Sequence, residues 1–167
     1  MTELRDTARV AVVLADYAAT DAINKVNILG AGWAVAGRDL ASGAVPPQTL
    51  VVFIDVPPPF YGQDFTVSLQ LMDQAGQVVQ LPGPVGEPQA LRVAQIVRAE
   101  EPVTPAGSNI PKGVLWSHSQ IIFSLPNGLP LPPNQLYTWT IEIDGEHRDV
   151  WAVSFYVPGP PPPPVIG

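Results

Sequence analysis

The chain has 167 residues, enough for one domain of roughly 100–200 residues with its own core. Charged residues make up 14% and hydrophobic ones 46%, against a highly charged disordered chain, while 21 prolines and 14 glycines argue against long helices, since an interior proline costs about 3 kcal/mol. There is no cysteine, which excludes disulfides, thiol nucleophiles and cysteine-bound metals, and a net charge of -7 leaves no basic stripe for a nucleic-acid backbone.

The N-terminus, Met1-Thr2-Glu3-Leu4-Arg5-Asp6, carries acids where a secretory peptide carries positive charge, so no signal peptide is expected. The apolar stretch Val10 to Ala15 is far shorter than the ~20 residues that span a bilayer, and no membrane partner is expected. Val10, Val12 and Leu14 alternate with smaller residues and predict a first strand. Asp16 to Asp21 reads as a polar connection, and Lys25 to Leu29 as a short second strand. Gly30 to Pro47 reads as a long glycine-rich loop or a partly paired edge. Leu50 to Val56 is a continuous β-branched run, the pattern of a strand covered on both faces, and Pro57-Pro58-Pro59 stops it.

The clearest signal is Phe65 to Leu71. Phe65, Val67, Leu69 and Leu71 share one face, and Thr66, Ser68 and Gln70 share the other. Asp73-Gln74-Ala75-Gly76 reads as a hairpin loop, with Gln77 to Leu81 returning. Leu91 to Val97 predicts a less regular strand, Glu100 to Gly113 a loop, and Trp116 to Leu125 a further strand. Tyr137, Trp139, Ile141 and Ile143 then alternate with polar residues, Asp144-Gly145 turns the chain, and Trp151, Val153, Phe155 and Val157 return. Two hairpins with aromatic inner faces predict an all-β fold, a two-layer antiparallel sandwich of immunoglobulin-like or related type. Residues 1–157 form that domain, and residues 158–167 form an extended proline-rich tail.

Motifs that would carry chemistry fail on their details. Gly30-Ala31-Gly32-Trp33 lacks the third glycine of a dinucleotide fingerprint, since Val35 stands there. Gly32 to Gly37 lacks the Lys-Ser/Thr of a phosphate-binding loop, since Arg38-Asp39 follows. His118 and His147 are the only histidines, too few by themselves for a zinc site that wants three or four ligands. Ser117 and His118 are adjacent on a strand and so point to opposite faces. Glu142 and Asp144 lie on an outer face, and Glu100-Glu101 reads as a solvated loop pair. No catalytic residue, metal or cofactor is expected. Among the four tryptophans, Trp139 and Trp151 read as core, whereas Trp33, in the glycine loop, is expected to be exposed or interfacial.

Leu14-Ala15-Asp16-Tyr17-Ala18, followed by Lys25-Val26-Asn27-Ile28-Leu29-Gly30, resembles the opening of a family of small bacterial and phage-encoded β-sandwich proteins of unassigned function. In that family an Asp-Tyr/His-Ala strand end precedes a Gly-Lys-x-Asn-hydrophobic-Gly segment, and Asn24 stands here in place of the first glycine. The Asp73–Gly76 loop and the run from Leu131-Pro132-Pro133-Asn134 through Tyr137 to Gly145 extend the likeness along the chain. No catalytic residue comes with it. The Ala/Gly/Pro-rich style is similar to an actinobacterial genome or one of its phages, and with the resemblance it implies a virion protein made in a host cytoplasm, either a minor tail protein or a capsid decoration. Its partners would be capsid or tail subunits forming a protein lattice, with repeated copies or a homo-oligomer. Two arms would touch them: Trp33 and Arg38 in the first, and Pro160, Pro162, Pro164 and Ile166 in the second. The competing expectation is a carbohydrate- or ligand-binding domain built around Trp33.

Overall fold

Alternating apolar side chains become two facing sheets in the computed structural model, which describes residues 3–162. The elements, in chain order, are a short helix α1 (Leu4–Thr7) and strands β1 (Arg9–Ala15), β2 (Tyr17–Thr20), β3 (Val26–Leu29) and β4 (Gln48–Val56). After a 3-10 turn (Pro58–Phe60) come β5 (Asp64–Met72), β6 (Gln80–Pro82), β7 (Pro88–Ala90) and β8 (Arg92–Arg98). The chain closes with β9 (Ser117–Leu125), β10 (Gln135–Ile143) and β11 (Glu146–Val157).

One sheet has the order β1-β4-β9 and the other β11-β10-β5-β8, with every pairing antiparallel. This is a two-layer antiparallel sandwich, with β8 at the edge of the sheet of β5, β10 and β11. Period two decides what lies between the layers. Leu50, Val52, Ile54 and Val56 of β4 face Phe65, Val67, Leu69 and Leu71 of β5, and all eight are at most 2% exposed. Trp139 meets Phe123 edge-on across the gap, with ring centroids 5.9 Å apart. Tyr137 and Phe155 stack within one sheet at 5.8 Å. Each such side chain contributes about 1.5–3 kcal/mol through burial.

Tyr137 also fixes a corner. It sits near the start of β10 and donates its phenolic O–H to the Pro132 carbonyl, five residues upstream, at 2.8 Å. A tyrosine bonded back to the backbone in this way is a known corner device of β-sandwiches.

Two local readings change, and a third narrows to one of its alternatives. Asp16 to Asp21 is not merely a connection, because β2 lies within it and pairs with β3 from Tyr17↔Leu29 to Thr20↔Val26. Asn24 turns that hairpin at φ 61, the left-handed region that glycine favours. The return from the Asp73 loop is also shorter than expected. Only Val78 bridges back to Met72, after which β6 leaves to pair with β7. Of the two readings of Gly30–Pro47, the partly paired edge is the one the structure shows, with pairing at two points. Val35 forms a parallel bridge to Tyr156 of β11, and Val45 bridges Leu129. The segment is a clasp on the molecule's own sheet edge, with Ala36 and Val45 buried beneath it.

Candidate functional site

The clasp and the tail meet at one end of the sandwich. Tyr156 N–H donates to Ala34 O, and Ala36 N–H donates to Tyr156 O, both at 2.9 Å. These bonds cover the β11 edge and direct the next residues outward. Asp39 then organises a tight turn. Its Oδ1 accepts from Ala41 N at 3.1 Å, Ser42 N at 2.7 Å and Ser42 Oγ at 2.8 Å. The bonds from Ser42 hold the Asp39 carboxyl below the ordinary carboxylate range. Arg38 Nε closes the turn on Gly43 O at 2.8 Å.

The tail leaves β11 over Asn134, whose N–H donates to Val157 O at 2.7 Å. It passes so close that a Cβ on Gly159 would lie 2.3 Å from Asn134 Oδ1. A cleft of about 360 Å³ results, with Arg38, Asp39 and Leu40 on one wall and Pro158 to Pro161 on the other. Leu40 is 90% exposed there. The arrangement pairs an apolar, proline-stiffened rim with one cation and one anion, which suits contact with a protein surface.

Of the six residues expected at an interface, Arg38 and Pro160 therefore come together. Pro162 is exposed just beyond the cleft, and Pro164 and Ile166 lie outside the described residues. Trp33 is half-buried. Its ring packs edge-on against Phe155 at 6.5 Å, and its indole N–H donates to Asp16 Oδ1 at 2.8 Å. It lines a separate hollow with Pro46 and Asp16 on the other side of the clasp. Asp16 is the residue that sequence reasoning missed. It opens the Asp-Tyr-Ala motif and lies directly over Gly30, where a Cβ would come within 2.0 Å of Asp16 Oδ2. Strand, hairpin and clasp are thus tied through one carboxylate.

Trp139 and Trp151 are buried, and Trp116 is half-buried with the Arg9 guanidinium 4.3 Å above its ring.

A second hollow of about 490 Å³ opens between β8 and β9. His118 lines it, stacked on Phe53 and bonded through Nδ1 to Asp55 Oδ1 at 2.6 Å. The pair is a cross-strand contact, since Asp55 and His118 are direct register partners. Thr20, Asn24, Gln95, Ser119 and Gln120 supply the other polar atoms, so His118 is the one ionisable side chain of this wall. Ser117 is buried on the opposite face, as strand alternation requires. Glu142 is held by Gln70 at 2.7 Å and Arg92 at 2.9 Å, and Asp144 accepts from Thr66 N at 2.8 Å. Among the described residues no three His, Cys, Asp or Glu side chains gather as metal ligands, and no helix is long and apolar enough to cross a membrane. The chain matches no protein-family model, no curated protein and no solved structure.

Proposed function

We propose that this protein is a non-enzymatic structural module of a phage virion, attached to a capsid or tail lattice through the clasp–tail end of the sandwich. The observation that carries the reading is the exposed Leu40 set against the Pro158–Pro161 rim. Leucine at 90% exposure gains by being covered, and the clasp already holds it in place. Ordering a free loop costs about 1–2 kcal/mol per residue, and a loop pinned at Val35 and Val45 has met much of that cost before contact. The resemblance to small phage-encoded sandwiches and the proline-rich tail support the choice of partner.

The test is limited proteolysis of the free protein and of purified particles. The clasp tip between Arg38 and Gly43 should be cut in the free protein and protected in particles. Equal cleavage of the clasp tip in the two states, or absence of the protein from purified particles, would overturn the reading.

A further inference from the structure

The two edges of the larger sheet are treated differently. On β11 the clasp occupies the backbone groups of Tyr156. On β8 no strand among the described residues covers the outer side. Leu71 N–H donates to Leu91 O at 3.2 Å, and Ala99 N–H to Gln63 O at 2.9 Å. With the register Asp64↔Arg98 to Gln70↔Arg92, antiparallel alternation makes the odd-numbered residues of β8 bond inward. The N–H and C=O groups of Arg92, Ala94, Ile96 and Arg98 therefore face outward. Ile96 is 75% exposed on that strand, and the hollow beside it leaves room for approach.

We infer that β8 pairs with β8 of a second copy of this chain, antiparallel about a two-fold axis through Ile96. Charge selects both occupant and register. Centring the pair on Ile96 places Arg92 opposite Glu100 of the second copy, twice by symmetry. Glu100 is exposed and forms no ion pair among the described residues. Arg92 is half-exposed beside Glu142, so its guanidinium can reach both acids. Centring one residue earlier, on Gln95, would set Arg92 against Arg98 of the second copy, and like charges directly opposite repel. The Ile96 register also stacks the two exposed Ile96 side chains on each other. Such an isologous contact closes at two copies. It uses neither the clasp nor the tail, so it stands apart from the lattice reading.

Sedimentation velocity of the full chain, from about 1 μM to about 1 mM, reads it directly. Wild type should move with concentration from the 17.8 kDa monomer to the dimer and no further. Ile96→Lys sets two cations on the axis and should weaken the dimer at least about tenfold. Glu100→Arg should also weaken it, and Arg92→Glu with Glu100→Arg should recover most of the loss. Circular dichroism melting of each variant separates a lost dimer from a lost fold. A monomer throughout the range, a trimer or larger ring, a dimer indifferent to Ile96→Lys, or no recovery in a folded charge-swapped pair would overturn the inference.

Discussion

Trp139 and Gln48 meet between the two sheets, where the indole N–H donates to Gln48 Oε1 at 3.2 Å. Both side chains are 1% exposed, and Gln48 Nε2 has no partner among the described residues. The bond ties β10 to β4 where dispersion alone would otherwise hold them. Trp139→Phe removes volume and leaves the whole Gln48 amide unpartnered. It should cost about 3–5 kcal/mol, because an unpaired buried polar group adds about 1–3 kcal/mol to the loss of packing. Adding Gln48→Leu should recover part of that loss, since no stranded amide remains. Urea unfolding of the single and double variants checks this, and simple additivity would mean that the hydrogen bond carries nothing.

The tyrosine corner makes stability depend on pH in the alkaline range. Burial, and then the charge of Asp73, push the Tyr137 phenol above its ordinary value. The unfolded chain therefore loses its proton first, near pH 10. The stabilisation is full below that pH and is lost as pH rises through the folded value. Tyr61, whose O–H reaches Leu115 O, is raised in the same direction by desolvation and by Glu101. Melting temperature should fall above about pH 10, and Tyr137→Phe should reduce the slope without abolishing it. At neutral pH that variant should cost about 0.5–1.5 kcal/mol for the lost bond to Pro132. An unchanged alkaline slope would contradict the assignment.

The sandwich was readable because its central strands bury one face completely. Phe65 to Leu71 and Tyr137 to Ile143 alternate without a break, and the structure buries every inward residue of both runs. The readings weaken where burial stops imposing a period. β2 is Tyr-Ala-Ala-Thr, small and largely exposed, so nothing in its pattern marked a strand. β8 is exposed along six of its seven positions, which is why it looked irregular. The clasp pairs with other strands only through isolated bridges at Val35 and Val45, and isolated bridges leave no periodic trace. The partners of Trp33 are hidden for a related reason. Its position in a glycine loop was legible, but its partners are Asp16, seventeen residues earlier, and Phe155, far along the chain.

The turn that presents Leu40 should open in acid. Hydrogen bonds from Ser42 lower the Asp39 carboxyl, so the unfolded turn takes up its proton first. The contribution is present above about pH 4 and is lost as pH falls through the folded value. Asp39→Asn keeps the shape but not the charge. It should speed amide exchange at Ala41 and Ser42 at neutral pH and remove its dependence on Asp39 protonation. Exchange at Ala36, bonded to Tyr156 rather than to Asp39, should not change. Equal acceleration at Ala36 would mean that the whole clasp lifts as one unit.

Gly128 is where the second clasp point is most easily broken. It follows Pro126-Asn127 in the turn after β9 and adopts φ 68, a conformation that costs an L-residue about 1–2 kcal/mol. Space is the larger restriction. A Cβ there would lie 2.1 Å from the Val45 carbonyl oxygen, which is backbone and cannot rotate aside. Val45 N–H donates to Leu129 O at 2.8 Å, so any retreat of Val45 sacrifices that bond and exposes a residue now 1% exposed. Gly76 provides the control, with φ 76 and nothing within 4 Å of the same position. Gly76→Ala should cost about 1 kcal/mol from backbone conformation alone, and Gly128→Ala about 2–4 kcal/mol, with faster proteolysis between Gly37 and Gly43. Denaturant unfolding gives the difference between the two, which measures the contact with Val45. Equal costs and unchanged proteolysis would show that the clasp is anchored at Val35 alone.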